Sequence, residues 1–243
     1  MKRVVIIPAR YASTRLPGKP LLSATGKPLI QHVVEAVRGA KRIDRIIVAT
    51  DDQRILDAVR AFGGEAVMTD ERCRCGTDRI AEAAEKLRLA ERDIVVNVQG
   101  DEPDIPPSCV DGLVELMESE DSPMATLATP MTAEQAINPN KVKVVLDGLN
   151  RALYFSRAKI PYDRDGTGNV RYLLHLGVYA CRVAFLREFA AMPPAPAEEA
   201  EKLEQLRALW HGRRIAVAVV TYEGVGIDTP EDYAAFVARF RGG

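Results

Sequence analysis

No aspartate or glutamate occurs between Met1 and Val34, although the 243-residue chain holds 34 of them. Long apolar runs are also missing. None approaches the ~18 residues that a membrane-crossing helix needs, so no membrane partner is expected. Bulk charge is absent too: 33 basic residues against 34 acidic ones leave a net charge of −1. That excludes a nucleic-acid binder held by overall charge, though not a local basic pocket. Cysteine is sparse. Cys73 and Cys75 are close, Cys109 and Cys181 stand alone, and no second close pair completes a zinc site. Free thiols in a reducing compartment are therefore expected. The apolar run Val4–Ile7 stops at Pro8 and Arg10, so it does not read as a secretory leader, and the expected location is the cytoplasm. No serine–histidine–carboxylate spacing suggests a nucleophilic triad.

What is present is a hydrophobic fraction of 47%, enough for a sizeable core. Val4–Ile7, Arg45–Thr50 and Ile94–Val98 read as strands buried on both faces. Apolar residues at helical spacing fall between them, at 29–37, 55–62 and 80–87, and again at 110–117. Asp51 or Asp52 can cap the second of these helices, and Thr77 or Asp78 can start the third. This alternation predicts an α/β fold: a mostly parallel sheet with helices on both faces. The middle differs. Strands are expected at Met124–Met131, Val142–Leu146, Ala152–Phe155 and Leu174–Cys181 with little helix between them, which suggests a smaller antiparallel subdomain at roughly 130–185 inside a single domain over 1–243. The end reads as helix Glu198–Leu209, strand Ile215–Thr221 and helix Thr229–Arg239, with Met192–Ala200 as a linker.

The acid-free segment contains Lys2, Arg3, Arg10, Arg15, Lys19 and Lys27. Half of these, Arg10, Arg15 and Lys19, lie in the loop P-A-R-Y-A-S-T-R-L-P-G-K-P that follows the first strand. Ligands of open α/β sheets sit beyond the carboxyl ends of strands, so the loop reads as an anion site. Gly18 lets the backbone approach a phosphate. The loop is neither a Walker A sequence nor G-x-G-x-x-G.

Here the sequence resembles the CMP-Kdo synthetases, the 3-deoxy-manno-octulosonate (Kdo) cytidylyltransferases. The resemblance continues through I-I-V-A-T-D (46–51), G-T-D-R (76–79), N-V-Q-G-D-E-P (97–103), N-P-N-x-V-K-V-V (138–145), Y-F-S-R-A-x-I-P (154–161), H-L-G-V-Y (175–179), L-E-Q-L-R-A-L (203–209) and G-I-D-T-P-E-D (226–232). Nine blocks in the family's order cover essentially the whole chain. The resemblance implies a nucleotide-binding sheet, a dimerisation region in the antiparallel middle, and a homodimer. It implies an enzyme that transfers CMP from CTP to the anomeric hydroxyl of Kdo for lipopolysaccharide precursor synthesis, with Mg2+ as cofactor.

The resemblance also implies roles. Arg10, Arg15 and Lys19 match the triphosphate-binding residues, and charge supports them, since CTP presents about four negative charges. Asp101 and Asp228 match the metal carboxylates; a carboxylate beside a phosphate site suits magnesium, which takes few carboxylates plus phosphate oxygens and water. Arg10, Lys19 and Asp101 are the expected catalytic set. Asp228 could equally cap the helix that opens at Thr229-Pro230. Ala9, Thr50 and Gly76 fall where the nucleotide is read. Gln99, His175, Tyr179, Glu204 and Gln205 fall in blocks placed around the sugar. Arg79 and Arg157 are candidates for its carboxylate, or else for structural ion pairs. His175 could also be a satisfied core histidine, while His32 and His211 read as structural.

One block departs from the family. Cys73-Arg74-Cys75-Gly76-Thr77 stands where His-Gln-Ser-Gly-Thr is usual. A thiol in place of a hydroxyl weakens a hydrogen-bonding group and Arg74 adds charge, so nucleotide affinity or sugar choice could change. The change is neutral if the backbone does the reading. Acceptors such as 8-amino Kdo or a sialic acid therefore stay open. A non-catalytic nucleotide-binding regulator is the reading from another class; retention of both carboxylates and the basic set argues against it.

Overall fold

The computed structural model describes residues 1–12, 16–73, 75–222 and 226–242. The first half alternates strand and helix: β1 (Arg3–Ala9), α1 (Leu29–Arg38), β2 (Arg45–Thr50), α2 (Gln53–Ala61), β3 (Glu65–Met68), α3 (Gly76–Lys86), β4 (Ile94–Asn97) and α4 (Pro107–Ser119). The four strands are parallel and lie in the order β3-β2-β1-β4. The run in β1 shows why. Val5 and Ile7 face a cluster that contains Val33 and Val34 of α1, Ile55 of α2 and Val110 of α4. Val4 and Ile6 face Ile80 and Ala83 on the opposite side, in α3. A strand that must satisfy two apolar layers has no polar position, and each such side chain contributes about 1.5–3 kcal/mol.

The second half contains β5 (Met124–Met131), β6 (Lys143–Leu146), β7 (Ala152–Ser156), β8 (Tyr172–Arg182), α5 (Val183–Ala191), α6 (Pro196–Glu201), α7 (Leu206–Trp210), β9 (Ile215–Val219) and α8 (Pro230–Gly242). β8 runs antiparallel between β4 and β5, and β9 adds parallel to β5. The β6–β7 hairpin joins through β6 to β8. The expected α/β architecture is thus present. The antiparallel middle is not a separate sheet: it continues the nucleotide-side sheet through β8.

Two elements leave no clear sequence signal, and one expectation is corrected. The four-residue edge strand β3 carries no alternating burial, so it leaves no period-two signal. Helix α5 follows β8 without a side-chain cap and is apolar enough to read as continued strand. The helix expected at Glu198–Leu209 is two short helices, broken where Lys202 adopts φ 54°, and α6 takes in part of the expected linker.

Candidate active site

β1 and β4 are adjacent and parallel, so their carboxyl ends open at one place. A Cβ at Gly100 would lie 2.9 Å from the carbonyl oxygen of Pro8, so only glycine lets the β4 end come this close to the β1 end. The loop after β1 closes by a bond from the Gly18 amide to the Tyr11 carbonyl (3.1 Å). Gly18 has φ 66°, and a Cβ there would meet the Tyr11 ring at 3.3 Å. The Arg54 guanidinium stacks on that ring. The turn presents Lys19 inward.

The Lys19 ammonium is the focus of the site. It donates to Asp101 Oδ2 at 2.7 Å, to the Ile227 carbonyl at 2.9 Å and to Asp228 Oδ1 at 3.3 Å. The Ile227 amide donates back to the Asp101 carbonyl (2.9 Å), which fixes the strand end carrying Asp101 against the segment carrying Asp228. The alternative role of Asp228 as a helix cap falls to its neighbour. The Thr229 hydroxyl accepts from the Asp232 amide at 3.2 Å while Asp232 Oδ2 accepts from the Thr229 amide at 2.9 Å, a reciprocal cap of α8.

Two carboxylates converging on one cation also fit a magnesium ion. Among the described residues no group of three or more His, Cys, Asp or Glu side chains forms a metal cluster. A protein that offers only Asp101 and Asp228 leaves the other positions to phosphate oxygens and water, which is the donor set magnesium prefers.

Beside Asp101 lies Glu102, the second acid of the Q-G-D-E-P block. It is 8% exposed and accepts from the Tyr222 hydroxyl at 2.9 Å. Burial pushes its carboxyl up to about 6 against the opposing effect of that bond. Arg10 donates to the Cys73 carbonyl (2.9 Å), which ties the basic loop to the unusual C-R-C segment. Gly76 approaches the side chain of Pro8. Ala9 ends β1 in register with Thr50 of β2. Thr50 is buried, and its hydroxyl accepts from the Asp52 amide. Arg15 and Arg74 lie outside the described residues.

The residues expected around the sugar fall on two neighbouring hollows. Tyr179, Glu204 and Gln205 line a cavity of about 50 Å³ together with Thr77 and Asn97. His175 lines a larger one of about 520 Å³ with Glu102, Thr129 and Asn140. Gln99 bonds to Asn97 (3.2 Å) and to the Gly177 carbonyl (3.3 Å). The rings of His175 and Tyr179 are 5.4 Å apart. His175 contacts the Thr126 hydroxyl through Nε2 at 3.1 Å, and that hydroxyl donates to the Val178 carbonyl at 2.8 Å. Its single proton is thereby engaged, so His175 is the donor through Nε2–H. Burial pushes the His175 imidazole down to about 3, so it is neutral. Thr126 sits where the β5–β8 register shifts, and the irregularity turns this stretch of β8.

The two arginine candidates are otherwise engaged. Arg79 is fully buried, bonded to Asp51 at 2.5 Å and to the Thr69 hydroxyl. Arg157 donates to the backbone carbonyls of Glu201, Pro139 and Lys202. Arg79 thus sits in an ion pair, the alternative named for it, whereas Arg157 is held by backbone carbonyls. His32 bonds Thr25 and packs edge-on against Phe236, and His211 bonds the Pro193 carbonyl, as expected of structural histidines. Thr77 and Asn97 were not singled out by the sequence reading. Asn97 could have been found as the polar break in an otherwise apolar strand.

A family model described as cytidylyltransferase matches residues 4–215. A 3-deoxy-manno-octulosonate cytidylyltransferase of Idiomarina loihiensis is 51% identical, covering 96% of this chain and 96% of that protein. One from Syntrophobacter fumaroxidans is 53% identical, covering 98% and 96%. A solved structure of CMP:2-keto-3-deoxy-manno-octonic acid synthetase in complex with CTP superposes with a TM-score of 0.95 at 43% identity, covering 100% of this chain and 99% of that one. A cytidylyltransferase from Leptospira borgpetersenii shares the fold alone, with a TM-score of 0.66 at 17% identity.

Proposed function

The chain belongs to the cytidylyltransferase family, in its 3-deoxy-manno-octulosonate branch, and we propose that the cluster of Lys19, Asp101 and Asp228 is where its reaction takes place. The enzyme transfers CMP from CTP to Kdo, giving CMP-Kdo and pyrophosphate. The anomeric hydroxyl forms a bond to the α-phosphorus as the bond to pyrophosphate breaks. Lys19, Arg10 and Arg15 hold the triphosphate, and the charge that develops on it is offset by the first two. Asp101 and Asp228 hold Mg2+, which when bound supplies charge neutralisation on the phosphates and acidifies the attacking hydroxyl. Ala9, Thr50 and Gly76 border the nucleotide. Gln99, His175, Tyr179, Glu204 and Gln205 bind the sugar, with neutral His175, whose Nε2–H is given to Thr126, offering Nδ1 as an acceptor.

We further assign a homodimer. The β6–β7 hairpin exposes Leu149, Leu153 and Tyr154, and Ile137 and Tyr162 nearby are exposed as well. This supports the dimerisation region at roughly 130–185. No helix of the described residues is long and apolar enough to cross a membrane. All four cysteines are free, which supports a reducing compartment, the cytoplasm. There the product would feed lipopolysaccharide precursor synthesis.

The observation that carries the active-site reading is the convergence of both carboxylates on the Lys19 ammonium. The test is pyrophosphate release with Mg2+, pairing CTP or UTP with Kdo, 8-amino Kdo or a sialic acid. Turnover with CTP and Kdo at the highest kcat/KM is expected. Preference for another acid sugar would move the acceptor, and CTP binding without any turnover would favour a regulator.

A further inference from the structure

Glu204 does not lie in a helix of its own. It sits in the turn between α6 and α7, and its carboxylate is fixed from across the site by the start of α3. The Thr77 hydroxyl donates to Glu204 Oε2 at 2.6 Å. The next residue, Gln205, is 4% exposed, and its Nε2 is a buried donor with no partner among the described residues. Thr77, Glu204 and Gln205 line the same cavity. A buried unpartnered amide donor beside an oriented carboxylate is a pair built to meet a ligand that both donates and accepts, as a polyhydroxylated sugar does.

We infer that Thr77 is a positioning residue that sets the Glu204 carboxylate for the acid sugar, and that it governs sugar affinity rather than nucleotide affinity. The same short segment faces the nucleotide loop through a different group, the Cys73 carbonyl that holds Arg10. A side-chain change at 77 leaves that carbonyl in place.

The inference rests on the acid-sugar reading, and the test separates the two. Steady-state KM values for Kdo and for CTP, and kcat, are measured for the wild type and for Thr77→Val, Thr77→Ala and Thr77→Ser. Thr77→Val and Thr77→Ala are expected to raise the Kdo KM about tenfold, with the CTP KM within about twofold of the wild type. Thr77→Ser keeps the hydroxyl donor and is expected near the wild-type Kdo KM. Thr77→Ala carries the test alone if Thr77→Val fails to fold. Unchanged Kdo KM in the alanine and valine variants overturns the inference, as does an equal rise in both KM values. A wild type that turns over no acid sugar overturns the acceptor reading, and this inference with it.

Discussion

The Nζ of Lys19 lies 2.7 Å from Oδ2 of Asp101 and, on its other side, 3.3 Å from Oδ1 of Asp228. The lysine thus occupies the point where the fields of the two carboxylates overlap, and it competes there with any added cation. Lys19→Met removes that competitor together with a phosphate ligand. We expect it to bind Mn2+ several-fold more tightly in the absence of nucleotide, read by titration of the free-ion resonance. In the same variant kcat/KM for CTP should fall by roughly 10²–10³-fold. Weaker Mn2+ binding would mean that the lysine supports the carboxylates rather than opposing the ion.

Arg79 and Asp51 form an ion pair whose cationic side chain is completely buried. Removing one partner of such a pair leaves an uncompensated charge and costs about 3–5 kcal/mol. Arg79→Leu is expected to lose that much stability in urea unfolding, and Asp51→Asn should lose less in the Arg79→Leu background than in the wild type. An Arg79→Leu protein of normal stability with a raised Kdo KM would return this residue to the sugar.

Gly100 lies where the ends of β1 and β4 meet, and an added methyl would press on the Pro8 carbonyl at 2.9 Å. That oxygen is backbone and cannot swing away. Gly100→Ala should therefore cost about 1–3 kcal/mol of stability and lower kcat by separating Asp101 from the basic loop. Thermal unfolding and steady-state rates measured together check this. A stable, fully active variant would show that the two loops are not held in register there.

His175 stays neutral in the folded state because burial pushes it down to about 3, whereas the unfolded chain titrates near 6.5. As pH falls below 6.5 the unfolded state takes up a proton that the folded state refuses. Stability is therefore lost as pH drops, and the loss continues until the folded-state value is reached. Between pH 7.5 and 5.5 this single group should cost about 1.3 kcal/mol. Urea unfolding of the wild type and of His175→Gln at both values isolates it: the variant should show a decline smaller by that amount. Equal declines would mean that the imidazole protonates in place.

Much of this was legible in the sequence, for reasons that are physical. Val4–Ile7 has no polar position because it faces two apolar layers, and that is visible without coordinates. The acid-free loop advertised a phosphate site because charge is a property of composition. Other features were hidden. Arg79 reads as either a sugar-carboxylate partner or an ion pair, and its partner Asp51 is 28 positions away, so only the packing of α3 on β2 brings them together. Asp228 could be a cap or a ligand until the register of α8 gave the cap to Thr229. The break at Lys202 is a single left-handed residue in a helix-forming stretch, and it places Glu204 in a turn instead of on a helix face. The role of Thr77 depends on a bond to a residue 127 positions later, which no local pattern signals.

The central claim is that Asp101 and Asp228 jointly hold the ion on which CMP transfer depends. The most direct measurement is the rate of CMP-Kdo formation by Asp101→Asn at saturating CTP, Kdo and Mg2+, with its unfolding temperature recorded beside it. The account predicts a fall in kcat of at least roughly 10²–10³-fold with an unfolding temperature within about 2 °C of the wild type. A folded Asp101→Asn enzyme with near-normal kcat and normal Mg2+ dependence would contradict it.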